Sequence, residues 1–122
     1  MNIITSRQFN RVIDLVCEKM DVNRKNVIKK RRWKETVEAR FVIWRVLKIH
    51  YGLSNGEIAR LFSTDPSTVL KGHAAYYRRA TNDPTLILVY QTVIYLLCQG
   101  ENHPLFLRPV GGVRIYGIEV MA

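Results

Sequence analysis

Apolar residues recur at Phe9, Val12, Ile13, Val16, Cys17 and Met20, the three- and four-residue spacing of one helix face. Thr5 or Ser6 stands where that helix would take its N-cap. The stretch 21–30 reads as a turn and a short helix that carry Val22, Val27 and Ile28 inward. After a basic loop, Thr36 can cap a helix over about 37–51, with Val37, Phe41, Trp44 and Leu47 at one spacing and Ile43 and Val46 beside them. Arg40, Lys48 and Arg45 fall off that stripe, and Gly52 suits a left-handed end. Ser54 and Glu57 form a capping-box pattern ahead of Ile58, Leu61 and Phe62. Asp65 as N-cap and Pro66 at the first helical position open a helix to about residue 80. Val69 and Leu70 are expected to face its core side, and Ser67, Thr68, Lys71 and Arg78 solvent. Gly72 in its middle weakens the helix and is expected to let a backbone approach.

Asp83-Pro84 repeats the cap-plus-proline signal and opens a last helix to about Gln99. Leu86, Val89, Tyr90, Val93, Leu96 and Leu97 form one of its faces, widened by Ile87, Ile94 and Cys98. A helix this apolar is buried centrally or covered by a partner chain. Beyond it, 105–110 and 113–120 flank Gly111-Gly112 and read as a β-hairpin, too small to stand alone. The expected fold is mainly α: a helical bundle containing a helix-turn-helix, with a C-terminal helix and a short β-hairpin tail. The domain reading is 1–82 for the helix-turn-helix unit and 83–122 for an extension packed on it or on a second copy in a homodimer.

Charge sharpens the picture. The chain has 122 residues with 19 Lys+Arg against 10 Asp+Glu, a net charge of +9, and 48% hydrophobic residues. That is globular composition of single-domain length, which excludes a large multi-domain enzyme and a disulfide-stapled scaffold. Two distant cysteines and no visible secretory signal predict reduced thiols in the cytoplasm. No stretch is long and apolar enough to span a bilayer, so no membrane partner is expected. Arg24, Lys25, Lys29, Lys30, Arg31, Arg32 and Lys34 place seven cations in eleven residues with no acid between them. A solvated charge run is the bland alternative; a phosphate backbone would relieve the run's self-repulsion by counterion release.

A short helix, a tight turn and a second helix with small hydroxyls in its first turn suit approach to base edges in the major groove. The basic stretch 30–34, Val37-Glu38-Ala39-Arg40, Leu53-Ser54, Glu57-Ile58, Phe62 and Asp65-Pro66-Ser67-Thr68-Val69-Leu70 together resemble the carboxy-terminal DNA-binding domain of the bacterial replication initiator DnaA. The resemblance covers about residues 5–80. It implies sequence-specific binding of double-stranded DNA in replication initiation or its regulation. It further implies that Lys30, Arg31, Arg32 and Lys34 serve the minor groove, with Arg32 or Arg31 inserted, and that Arg40 and Lys48 hold the backbone. Asp65, Ser67 and Thr68 would read the major groove, with Lys71 one turn on. Pro66 replaces the family's base-reading histidine and Thr64 an arginine, so altered box specificity is expected; Gly56 replaces a proline that touches a thymine methyl.

Each residue also has a structural alternative. Asp65 caps any helix, Ser67 and Thr68 are ordinary first-turn residues, Arg40 pairs with a surface acid such as Glu38, and Lys48 is solvated. Cys17 reads as a buried thiol, and His73 as a partly buried helix residue rather than a ligand. No Gly-rich lysine loop is present, so no nucleotide or other cofactor is expected. The competing functions are a helix-turn-helix transcriptional regulator of a phage or mobile element, a protein-binding module whose basic loop takes an acidic partner, and a small basic nuclease or toxin. His50, His73 and His103 lack metal-ligand spacing, and the chain is read as a non-enzyme.

Overall fold

The computed structural model describes residues 4–29 and 33–99. They form six helices: α1 (Ser6–Met20), α2 (Arg24–Ile28), α3 (Lys34–Ile49), α4 (Asn55–Leu61), α5 (Pro66–Asn82) and α6 (Pro84–Gln99). No strand occurs among the described residues, and the expected hairpin lies outside them.

The local signals act where the sequence places them at α1 and α4. Thr5 and Gln8 form a reciprocal capping box at α1, and Ser54 and Glu57 form another at α4. The hydrogen bond from the Ser54 backbone N–H holds the Glu57 carboxyl below its ordinary range. The start of α3 differs from expectation. Trp33 is its N-cap and its side chain makes no capping hydrogen bond, while Thr36 is buried within the first turn instead of capping it.

Helix α3 is the axis of the bundle, packed against all five other helices. Its burial therefore extends around the helix rather than along one stripe: Ala39, Val42, Ile43, Trp44, Val46 and Leu47 are buried, and so are Glu38 and Arg40. The expectation that Arg40 lies off the apolar face is corrected, since it is only 7% exposed and donates to the Val27 carbonyl at 3.1 Å. Glu38 is neutralised by Arg79, 3.2 Å away on α5, rather than by Arg40. Ile28, expected inward, is exposed, because the five-residue α2 turns only Val27 into the core.

Helix α6 packs on α1, α3 and α5 in the same core, with Leu88 and Tyr95 on its open side. A single residue, Asp83, separates it from α5, and the Asp83 carboxylate accepts from the Thr85 N–H at 3.0 Å. Arg11 of α1 donates to the Leu96 carbonyl at 2.9 Å, near the negative end of α6. Cys17 and Cys98 are buried. Burial, and to a lesser extent the Asp14 charge, push the Cys17 thiol up to about 11, so it stays protonated in the core.

Four aromatic rings tie the helices together. Phe9 and Trp44 each meet Phe62 edge-on at 5.8 Å, and Phe41 lies 6.1 Å from Trp44. The chain of contacts ends at Gly72 of α5. A Cβ there would stand 2.5 Å from Trp44 Cζ3 and 2.6 Å from Cε3, so the close neighbour is an indole and not the backbone expected from sequence. In an exposed helix interior, Gly→Ala stabilises by about 1 kcal/mol. Here Gly72→Ala is expected to destabilise by about 1–3 kcal/mol through overpacking. Thermal melts check this: Tm falls by several degrees, and Trp44→Phe in the same chain recovers part of the loss. A rise in Tm for Gly72→Ala would show instead that the indole yields.

Candidate nucleic-acid interface

Helices α4 and α5 pack against each other through a tight turn built on Ser63. Ser63 has φ 53°, the Thr64 N–H reaches the Ala59 carbonyl at 2.9 Å, and the Ser63 N–H reaches the Arg60 carbonyl at 3.3 Å. This is a Schellman end in which serine occupies the left-handed position that glycine usually takes. Phe62, just before it, is buried on the aromatic chain and fixes the turn to the core. Buried Val69 then pins α5, while Leu70 is 58% exposed, a correction to its expected inward placement that follows from the helix's angular step.

This geometry presents Asp65, Pro66, Ser67, Thr68 and Lys71 to solvent. Asp65 occupies the N-cap position, but its carboxylate makes no capping hydrogen bond; its backbone carbonyl accepts from Thr68 and Val69. The side chain at the start of α5 is thus not engaged in closing the helix. By contrast, side chains of Thr5, Asn23, Ser54 and Asp83 cap α1, α2, α4 and α6. Among the described residues, the N-cap side chains of α3 and α5, the two helices whose first turns carry the basic and hydroxyl candidates, make no such bond.

Between α3 and α5 runs a groove of about 550 Å³ with Phe41 and Trp44 among its apolar lining. Arg40, Thr68 and Lys71 line it together, joined by Thr64 and Arg78. No carboxylate lines it. Lys34 is exposed and lies in a neighbouring cleft with Glu38, Arg78, Arg79 and Asp83. Lys48 is not brought into the groove. It is partly buried, with Nζ 3.5 Å from Asn55 Oδ1 at the start of α4. Lys30, Arg31 and Arg32 lie outside the described residues. Arg24, counted in the basic run, is held by Asp14 at 2.7 Å and by Asn10, so that charge is engaged within the fold. Arg78, expected to face solvent, is exposed and adds a cation to the groove. Its spacing of seven residues from Lys71, two helical turns, was the available signal.

The residues 9–75 match the family model described as the bacterial DnaA protein helix-turn-helix. The chain belongs to that family. Chromosomal replication initiator proteins DnaA from two strains of Leptospira biflexa serovar Patoc are each 30% identical to it over 82 residues. The matched stretch is 67% of this chain and 19% of the initiator. No solved structure matches. The DnaA helix-turn-helix is a DNA-binding module, and α4, the Ser63 turn and α5 are that motif here. No helix among the described residues is long and apolar enough to cross a membrane.

On the inner face of α5 sits His73, only 6% exposed, with neither ring nitrogen hydrogen-bonded among the described residues. Burial first, and then the positive charges of Lys48 and Arg45, depress its pKa to about 4. The unfolded chain takes up a proton near pH 6.5, while the folded chain resists doing so until about 4. Stability is therefore full above pH 6.5 and is lost as pH falls from 6.5 toward about 4, by roughly 3 kcal/mol. Urea melts across this window check the slope, and His73→Leu should flatten it.

Proposed function

We propose that this domain binds double-stranded DNA sequence-specifically, in replication initiation or its regulation, with a box preference different from the family's usual one. The observation that carries the reading is the first turn of α5: Asp65, Pro66, Ser67 and Thr68 are exposed on a helix of the DnaA helix-turn-helix. Supporting it, Thr68, Lys71, Arg40 and Arg78 line an acid-free groove beside that turn. Free backbone N–H groups at a helix start favour phosphate, and among the described residues α3 and α5 start at N-cap residues whose side chains make no capping bond. Base edges are read from α5, whereas the basic residues of the loop and α3 position the domain on the backbone. The role is recognition, not catalysis.

Salt dependence tests the grip. With about six phosphates neutralised, the log–log slope of affinity against salt is about −5 on duplex DNA. A slope shallower than about −2 sinks the reading. Arg31→Ala with Arg32→Ala should weaken binding far more than Arg24→Ala with Lys25→Ala, since Arg24 is tied to Asp14. Equal losses would favour a plain helix-turn-helix regulator that does not use the loop.

Specificity is tested at Pro66. Proline neither donates nor accepts at a base edge but can touch a thymine methyl, and losing one good base contact removes about 1–3 kcal/mol of discrimination. Selection from a random duplex pool should return a site unlike the initiator's usual box at the base pairs facing the start of α5. Pro66→His should move the preference toward that box and leave the salt slope unchanged. Sharp selection of the usual box by the unmodified domain refutes this account of Pro66.

A further inference from the structure

We infer that the α3–α5 groove seats the single sugar–phosphate strand separating the two DNA grooves, and that Arg78 is its outermost phosphate contact. The inference rests on the DNA-binding reading above and extends it past the family match, which ends at residue 75. A loop and first turn of α3 serving the minor groove, and a first turn of α5 serving the adjacent major groove, must straddle one backbone strand. The surface between those two starts is this groove.

Its chemistry fits a strand rather than base edges. Half-buried Phe41 gives an apolar surface suited to deoxyribose, and exposed Lys71 and Arg78 supply positive charge without a carboxylate among the lining residues. Lys71 and Arg78 are exposed on the same side of α5. They stand about 10 Å apart along its axis, far enough to meet different phosphates of one strand. The two consecutive arginines divide their work. Arg79 is ion-paired to Glu38 at 3.2 Å and lies 5.4 Å over the Phe41 ring. Arg78 has no side-chain ion pair among the described residues, and its exposure leaves it available to an anion.

The test titrates labelled duplexes of selected and of scrambled sequence across a salt series, using the whole chain and its Arg78→Ala and Arg78→Lys variants. Arg78→Ala should reduce the slope's magnitude by about one and weaken binding about five-fold at roughly 0.15 M salt, equally on both duplexes. Arg78→Lys should keep the slope. Circular dichroism confirms folding, which an exposed side chain does not govern. If the unmodified chain binds with a steep slope and Arg78→Ala leaves it unchanged, the strand does not lie in this groove, and the DNA-binding reading survives. Loss confined to the selected duplex makes Arg78 a base reader and overturns the phosphate assignment. A shallow slope for the unmodified chain removes both readings together.

Discussion

The placement of α5 depends on one contact, the indole of Trp44 lying where a Cβ at residue 72 would be. Glycine lets the two helices close to that distance, and the indole then meets Phe62, which meets Phe9 of α1. One line of rings therefore runs from α1 through the turn of the motif to the face of α5 at Gly72. Ridge-into-groove packing fixes an interhelical angle only when the facing side chains are fixed. Here they are, because Trp44 and Phe62 are both almost fully buried.

Five arginines and three cations of α3 and α5 show two different uses of positive charge. Arg11, Arg24, Arg40, Arg45 and Arg79 each bind a named group of the protein: the Leu96 carbonyl, Asp14, the Val27 carbonyl, the Tyr77 hydroxyl and Glu38. Arginine suits these places because its planar fork retains charge while satisfying a fixed acceptor. Lys34, Lys71 and Arg78 remain at the surface beside the starts or along the open side of α3 and α5. A net charge of +9 reveals the excess but not this partition.

Much of the fold was legible in the sequence, because its punctuation is local. Capping boxes at Thr5 and Ser54 and the Asp-Pro pairs at 65 and 83 sit within three or four residues of what they determine. What was not legible depends on distant partners. The inward side of α3 could not be read from a stripe, since five helices surround it, and so the burial of Arg40 was missed. Leu70 was misplaced because its neighbour Val69 already fills the inward position. The candidate site was legible as a list but not as a place: Arg40, Thr68 and Lys71 meet in one groove, Lys48 lies elsewhere, and Lys30, Arg31 and Arg32 lie outside the described residues.

The first turn of α5 is anchored from behind, through Val69 and the backbone carbonyl of Asp65, while its outward side chains at 65–68 carry no share of the core. Exposed Ser67 and Thr68, away from the N-cap and the proline, are expected to tolerate replacement within about ±0.5 kcal/mol. The outer side of that turn can therefore change its chemistry without disturbing the core behind it. The outward side chains there can change while the glycine, the indole and the Ser63 turn go on holding the helix where it lies.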